Sequence, residues 1–264
     1  MSSSPDDLGA SSGTDEVAGT AGAGRAARRD AARADLARRR LALDAHELAG
    51  AGRRVAAALR PTLEALASAR PSPGSAPPVV AGYAAVRGEL PVDAALELAR
   101  ELGARTALPV TSGTAMRFVP FDRDTPMRAG RFGIAVPETS SDGAAPLGPR
   151  ELDLVLVPLL GFDARLDRLG MGGGFYDRAF AHRRRAPSGP AVAPVPGSPV
   201  PADLEVAPDA PLARPALVGV AHAFQRLDDV LAMAWDVPLD AVVTERDAFG
   251  LGRLTASLLA RRDP

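Results

Sequence analysis

The sequence predicts a three-layer α/β/α domain with a mostly parallel sheet, preceded by N-terminal helices. Helical segments rich in Ala, Arg and Leu come first, and strand-like and helix-like segments alternate after residue 78. The run Leu152–Leu160 is continuously apolar, which is typical of a central strand buried on both faces. A chain of 264 residues, of which 46% are hydrophobic, is long enough for one such domain with its own core.

After a disordered tail, the N-terminal part of the chain is predicted to be helical. Residues 1–24 are acidic and rich in small residues, so we expect a disordered tail, with residues 25–264 forming a single domain. A first helix is predicted over Arg25–Arg40. Asp44 and Glu47 have the spacing of a capping box at the start of a second helix, which we expect to end near Leu59. Pro61 would then begin a third.

The remaining elements follow from hydrophobic periodicity. Residues 91–102 carry apolar side chains at helical spacing, and Gly103 follows as the expected C-terminal cap. Further strands are predicted at 79–86, 106–110, 116–121, 152–160, 216–223 and 240–245. The Pro-rich segment 184–215 is interpreted as an exposed, partly polyproline insertion, and a lid or docking segment is the alternative.

Composition excludes several classes of protein. The chain has no cysteine, which excludes disulfide frameworks, cysteine metal sites and thiol nucleophiles. The formal net charge of −1 gives no general preference for nucleic acid or acidic membranes. The N-terminus lacks the pattern of a signal peptide, and no apolar run reaches the roughly 18 residues of a membrane span. We therefore expect a cytoplasmic protein with no nucleic-acid or membrane partner. We also expect a monomer, although composition does not determine the oligomeric state.

A glycine-rich segment after the central strand contains the candidate chemistry. Gly170, Gly172, Gly173 and Gly174 follow the strand, and helix-compatible sequence begins near Phe175. Ligands of open α/β sheets bind beyond the carboxyl ends of strands, where glycines let backbone N–H groups approach phosphate oxygens and the N-terminus of the following helix adds a favourable dipole. Arg168 and Arg178 flank the glycines as candidate phosphate partners, and the carboxylate of Asp177 suits magnesium. A purely structural glycine turn and a helix-capping Asp177 remain the alternatives.

The complete string RLGMGGGFYDR, placed after a buried strand and a GFD turn, closely resembles the signature of the 5-formyltetrahydrofolate cyclo-ligase family. The resemblance extends over roughly residues 28–247, through GYAAVRGELPVD, FGIAVPE, VGVAHAFQ and DVPLDAVVTE in the family's order. It implies conversion of 5-formyltetrahydrofolate and ATP into 5,10-methenyltetrahydrofolate, ADP and phosphate, with magnesium. In this reaction the formyl oxygen attacks the γ-phosphate, and the other folate nitrogen then closes the ring as phosphate leaves. Such chemistry requires positioning and positive charge but no side-chain nucleophile.

The resemblance also implies roles for individual residues. Arg168 and Asp177 would be catalytic, and Asp177 and Asp236 would bind magnesium. ATP would contact the basic pair and the loop: Arg29, Arg33, Arg168, Leu169, Gly170, Met171, Gly172, Gly173, Gly174, Phe175 and Tyr176. The folate would contact Arg33, Tyr83, Ala84, Glu89, Met171 and Phe175, with Glu89 bound to the N–H edge of the pterin. From the residues alone, a turn Asp236, a solvated Arg29 and Arg33, and a surface Glu89 remain alternatives.

Three positions depart from the family's pattern. Arg29 stands where a lysine is usual, Met171 where Tyr or Arg is common, and Phe175 where Tyr is frequent. Arg29 keeps the charge, Phe175 keeps the stacking surface without the hydroxyl, and Met171 removes a polar contact. None of the three removes the metal carboxylate or the glycines, so we expect retained activity with altered affinity.

Several further residues have ambiguous roles. Met116, Phe118, Phe132 and Trp235 are candidates for the pterin pocket, with core packing as the alternative. His46, His182 and His222 lack the spacing of a metal site; we expect His46 to be exposed and His222 to be a core residue. Two other functions are compatible with the pattern: a sugar-phosphate isomerase or CoA-transferase-like enzyme, and a non-enzymatic protein whose basic helix binds RNA.

Overall fold

The computed structural model describes residues 13–69, 74, 76–130, 133–138, 145–184 and 214–260, with side chains from residue 24 onward. The helices are α1 (Gly13–Leu41), α2 (Ala45–Ser68), α3 (Asp93–Glu101), α4 (Phe175–Ala179) and α5 (Leu251–Ala260). The strands are β1 (Val79–Ala81), β2 (Arg105–Ser112), β3 (Ala115–Pro120), β4 (Met127–Ala129), β5 (Ala135–Pro137), β6 (Leu154–Pro158), β7 (Gly161–Phe162), β8 (Arg168–Leu169), β9 (Ala216–Val220), β10 (Ala241–Val243) and β11 (Ala248–Phe249).

Seven strands form the main sheet in the order β11-β10-β9-β6-β1-β2-β3. The five inner strands are parallel, and each edge strand runs antiparallel to its neighbour. The predicted central strand is confirmed, since β6 lies in the middle of the sheet and Pro158 is its last residue. The predicted α/β class with a mostly parallel sheet is therefore confirmed.

Both faces of the sheet are covered by apolar packing. In β6, Leu154 and Leu156 belong to one core cluster, while the alternate residues Val155 and Val157 belong to another. The first cluster is formed with α2, α3 and α5, and the second contains Phe180 and the loop residues around it. Alternation between two cores explains the continuous apolar run, because both side-chain directions of a central strand point into a packed layer.

The N-terminal helices differ from the prediction in two ways. α1 begins at Gly13 rather than Arg25, so residues 13–24 of the predicted disordered tail are helical. The capping box of Asp44 and Glu47 is confirmed, with both reciprocal hydrogen bonds present. The predicted helix break at Pro61 is wrong, because one helix, α2, continues through it.

The continuity of α2 has a packing reason. Pro61 lies on the exposed face, where water can bind the carbonyl group that loses its helical partner. The buried face of Leu59, Leu63 and Leu66 continues across the proline and anchors both halves to the same core. Packing of an apolar face commonly outweighs a local propensity of this size.

Several short elements differ from the predicted secondary structure. β1 covers only the first three residues of the predicted strand 79–86. Two small antiparallel pairs, β4–β5 and β7–β8, were not predicted, since strands of two or three residues have too little periodicity to detect. Residues 1–12 of the predicted tail and 185–213 of the insertion lie outside the described residues. Among the described helices, none combines the length and apolar character needed to cross a membrane.

Candidate active site

The candidate site lies at the carboxyl edge of the parallel sheet. β1 and β6 are neighbours, so the loops that leave their carboxyl ends, 82–90 and 159–174, meet at the same edge. They enclose a cavity of about 530 Å³ together with α1, the end of β2 and the strand pair β4–β5. Nearly all predicted site residues line it: Arg29, Arg33, Tyr83, Ala84, Glu89, Arg168, Gly170, Met171, Gly172, Gly173, Gly174, Phe175, Tyr176, Asp177 and Asp236.

A few predicted residues do not line the cavity. Leu169 is fully buried in a cluster with Leu36 and Leu160, so its side chain is not available to a ligand. Phe118 is a core residue, whereas Met116 and Trp235 do line the cavity. Phe132 lies outside the described residues.

The glycine loop, residues 170–174, adopts a backbone that most residues avoid. Gly172 has φ +95° and Gly174 has φ +63°, and Gly174 precedes the first residue of α4. A Cβ at Gly170 or Gly172 would meet no atom within 4 Å, so the absence of side chains here leaves the backbone open to the cavity. The left-handed backbone therefore requires glycine at Gly172 and Gly174. At Gly170 the open space would allow a ligand to approach the backbone closely.

Two expectations for this loop need correction. α4 has five residues, so its dipole contributes little to anion binding. Arg178 is exposed and does not line the cavity; its Nη2 donates to the carbonyl oxygen of Gly173 at 2.8 Å, and its guanidinium lies over the Phe175 ring. Arg178 therefore stabilises the glycine loop from outside the cavity.

One cation–carboxylate pair of the cavity is formed by Arg168 and Asp177. The side chain of Arg168 is 5% exposed. Its Nη2 pairs with Oδ1 of Asp177, and its Nη1 donates to the carbonyl oxygen of Val237. Oδ1 of Asp177 also accepts from the Val237 amide at 3.0 Å. The contacts of the Asp177 carboxylate with described residues all use Oδ1, which leaves Oδ2 for a ligand.

A second cation–carboxylate pair stands beside the first. Nη1 of Arg29 lies 3.0 Å from Oδ2 of Asp236 and 2.7 Å from the carbonyl oxygen of Leu231. Oδ2 of Asp236 also accepts from the Met233 amide at 2.9 Å. Because Asp177 binds the amide of the residue next to Asp236, the two pairs are adjacent. Each pair offers a carboxylate oxygen and guanidinium N–H groups that have no partner among the described residues.

Magnesium fits this donor set. Mg²⁺ is commonly held by one or two carboxylates together with substrate phosphates and water, and Asp177 and Asp236 supply two. The described residues contain no cluster of three or more metal-ligating side chains that could hold a metal without a substrate.

One face of α1 supplies several cavity residues. Arg29, Arg33, Leu36 and Arg40 are spaced at i, i+4, i+7 and i+11, and all point toward the sheet edge. Nε of Arg33 donates to the carbonyl oxygen of Gly170 at 2.9 Å. Neighbouring arginines such as Arg28 are exposed, so the structure separates the cavity-facing arginines from the solvated ones.

The loop after β1 forms the opposite end of the cavity. Val86–Glu89 is a tight turn in which Arg87 (φ +52°) and Gly88 (φ +73°) are left-handed, and Oε2 of Glu89 accepts from the Val86 amide at 3.1 Å. Burial raises the pKa of Glu89, while the Val86 N–H and nearby arginines oppose the rise. Tyr83 donates from its hydroxyl to the carbonyl oxygen of Leu90 at 2.6 Å, and burial raises its pKa.

The walls of the cavity combine charge with apolar surface. Six arginines and three carboxylates line it. The hydroxyl of Tyr176 is buried without a hydrogen-bond partner among the described residues, which leaves a donor for a ligand. Apolar lining comes from Leu108, Val110, Met116 and Ile134. A ligand that is anionic at one end and planar and apolar at the other fits this arrangement.

Sequence reasoning missed several lining residues. Arg40, Arg87 and Arg128 line the cavity, as does the end of β2 at Val110 and Thr111. The helical spacing of Arg40 from Arg29 and Arg33 was a usable signal, but arginine is too frequent in α1 for the spacing to distinguish it.

The histidines are placed as expected. His46 is exposed in the first turn of α2, and His222 is buried, with Nε2 at 3.1 Å from the carbonyl oxygen of Gly88. Burial lowers the pKa of His222.

Comparison with known proteins identifies a family. A model of the 5-formyltetrahydrofolate cyclo-ligase family matches residues 25–195. A 5-formyltetrahydrofolate cyclo-ligase of Haemophilus influenzae is 29% identical over 163 residues, which are 61% of this chain and 72% of the relative. One of Escherichia coli K12 is 30% identical over 176 residues, which are 64% of this chain and 81% of the relative.

Two solved structures share the fold. A 5,10-methenyltetrahydrofolate synthetase from Mycoplasma pneumoniae superposes with a TM-score of 0.52 at 23% identity, covering 82% of this chain and 98% of that protein. One from Aquifex aeolicus gives a TM-score of 0.54 at 22% identity, covering 84% of this chain and 92% of that protein.

Proposed function

Because this chain belongs to the 5-formyltetrahydrofolate cyclo-ligase family, we propose that the cavity is where it closes 5-formyltetrahydrofolate to 5,10-methenyltetrahydrofolate with ATP. One observation supports this assignment most strongly. The glycine loop with its two cation–carboxylate pairs shares a single cavity with the Tyr83–Glu89 loop. A phosphoryl donor and a folate can therefore bind within reach of each other.

The phosphate end acts through positioning and charge. Gly170–Gly174 let the backbone approach the ATP phosphates, and Arg29, Arg33 and Arg168 offset their negative charge. All contacts of Arg29 with described residues use Nη1, so its Nε and Nη2 remain available to phosphate oxygens. Buried arginines already held in place require little reorganisation as charge builds up on the transferring group.

Magnesium would be held by Asp177 and Asp236. When bound, it would neutralise phosphate charge and help align the γ-phosphoryl group. Each of these carboxylates has one oxygen, Oδ2 of Asp177 and Oδ1 of Asp236, without a partner among the described residues, and that oxygen could bind the cation.

The folate end orients the nucleophile. The Glu89 carboxylate matches the N–H donors along one edge of the pterin ring, and the apolar wall covers the ring faces. In this orientation the 5-formyl oxygen would face the glycine loop, where it would form a bond to the γ-phosphorus as the bond to ADP breaks. The second folate nitrogen then attacks the activated carbon and releases its proton to solvent, and phosphate leaves with the formyl oxygen.

A coupled assay tests the proposal. Protein, ATP, magnesium and 5-formyltetrahydrofolate should produce the methenyl-folate absorbance together with one ADP and one phosphate for each product, and a chelator should stop the reaction. No methenyl-folate absorbance with intact protein would refute the proposal. The competing RNA-binding interpretation predicts salt-dependent RNA affinity instead. The cytoplasmic location and monomeric state stay predictions, which cell fractionation and size-exclusion chromatography would check.

A further inference from the structure

Beneath the folate end of the cavity lies a buried arginine that the proposed reaction does not yet use. The side chain of Arg40, in the last turn of α1, is 2% exposed. Its Nη1 lies 3.7 Å from Oε1 of Glu89 and 3.4 Å from the carbonyl oxygen of Leu159, and its Nε has no partner among the described residues. Burying a cation with so few hydrogen bonds is costly, so a purely stabilising role is a weak explanation.

A second buried pair in the same protein shows what a structural arrangement looks like. The Nε of Arg183, like that of Arg40, has no partner among the described residues, but Arg183 and Asp240 are joined by two hydrogen bonds of 2.7 Å, and Asp240 also accepts from the Leu217 amide. Neither residue lines the cavity. The Arg40–Glu89 pair is longer and looser, and its carboxylate faces the cavity, as expected of a pair that must leave the carboxylate available to a ligand.

The contacts of Glu89 divide between its two oxygens. Oε2 accepts from the Val86 amide, and Oε1 faces Arg40. Burial alone raises the pKa of Glu89 and would favour the protonated acid, while the positive charge of Arg40 lowers it. A protonated Glu89 would present a donor to pterin N–H groups that are themselves donors.

The backbone holds this pair in register. A Cβ at Gly88, whose φ is +73°, would come within 2.2 Å of the carbonyl oxygen of Arg40, so the loop packs directly on the last turn of α1. Arg40 occupies the same helix face as Arg29 and Arg33. One helix therefore reaches both ends of the cavity.

We propose that Arg40 is a positioning residue for the folate, which holds the Glu89 carboxylate ionised and oriented toward the N–H edge of the pterin ring. The inference rests on the proposed folate-binding role of Glu89.

Other titratable and charged groups surround Glu89. Arg87 and Tyr83 belong to its own loop, and Tyr176 of α4 interacts with it electrostatically. His222, after β9, binds the Gly88 carbonyl oxygen, and burial, with a smaller contribution from Arg40, lowers its pKa. A pH experiment must therefore distinguish Glu89 from His222.

The test measures kcat/KM for 5-formyltetrahydrofolate between pH 5.5 and 8.5 at saturating ATP and magnesium, on the full-length protein. In Arg40→Met, loss of the positive charge raises the pKa of Glu89, so the ionised form is lost at a higher pH. The acid limb of the profile should move up by about one pH unit or more. The change should appear in the KM for the folate, with kcat and the KM for ATP little altered, and activity should recover toward high pH. Arg40→Lys, which keeps the charge, should return the limb toward the parent position.

The controls separate the possible failures. Arg183→Met removes a buried arginine outside the cavity and should lower stability without moving the limb. Glu89→Gln should abolish the shift, so Glu89→Gln and the double variant Glu89→Gln/Arg40→Met should have the same profile.

Two results would overturn the proposal. One is a shift that persists in the Glu89→Gln background, which would assign the titration to His222. The other is an acid limb that does not move in Arg40→Met. Arg40→Gln, which keeps polarity but no charge, serves if Arg40→Met does not fold. A parent-like folate KM in Glu89→Gln would instead refute the role of Glu89 itself.

Discussion

Replacing Asp177 with Asn separates the electrostatic role of this carboxylate from its structural one. Asn keeps an oxygen that can accept from the Val237 amide and from Arg168, so the bonds survive while the charge is lost. The bond from the Val237 amide becomes neutral, which costs about 1 kcal/mol, and the buried Arg168 loses its ion-pair partner while keeping the hydrogen bond, so we expect a total loss of about 2 kcal/mol. For a domain of this size that corresponds to a fall in Tm of roughly 4–8 °C.

The effect on catalysis should be much larger. Removing a carboxylate that would hold magnesium at the transferring phosphoryl group should lower kcat by roughly a hundredfold or more, and raising magnesium should restore it only in part. The measurement is methenyl-folate formation against magnesium concentration, beside a thermal melt.

Asp240→Asn is the matched control. It removes a carboxylate from a buried arginine pair outside the cavity, with three accepted bonds rather than two, so it should cost at least as much stability. Turnover per folded molecule should nevertheless stay near the parent value. Parent-like turnover in Asp177→Asn, or an equal loss in Asp240→Asn, would show that the Asp177 carboxylate is structural.

Three further outcomes are expected. Glu89→Gln should raise the KM for 5-formyltetrahydrofolate roughly tenfold to a hundredfold while leaving the KM for ATP unchanged, from the loss of a charged hydrogen bond; equal weakening of both substrates would make Glu89 structural. Arg33→Met should raise the KM for ATP at least about tenfold, and the exposed Arg28→Met on the same helix should not; matched effects of the two would contradict the cavity assignment. Replacing residues 188–212 with a short Gly/Ser linker should preserve turnover, because a hydrogen bond from Arg183 to the Pro215 carbonyl oxygen holds the two ends of the segment together; a lost reaction with an intact melt would give the segment a catalytic role.

The sequence was sufficient wherever a local pattern has one dominant physical reason. The apolar run of β6 predicted its central position, and the spacing of Asp44 and Glu47 predicted a capping box. The glycine loop could be located because a backbone with φ of +95° at Gly172 is rarely compatible with a side chain. The sequence was misleading at Pro61. A proline usually ends a helix, but here the buried face of α2 continues on both sides of it and keeps the helix intact.

Only the tertiary structure decided which arginines serve the site. α1 contains many arginines with similar surroundings in sequence, and their roles depend on partners far along the chain. Arg29 meets Asp236 across 207 positions, and Arg40 meets Glu89 through a loop that packs on the end of its helix. These contacts form because a parallel sheet brings the carboxyl ends of β1 and β6 to one edge, and α1 docks there along one face. Local propensity determines which segments become helices and strands, whereas the charge environment of a buried residue depends on the order in which those segments pack.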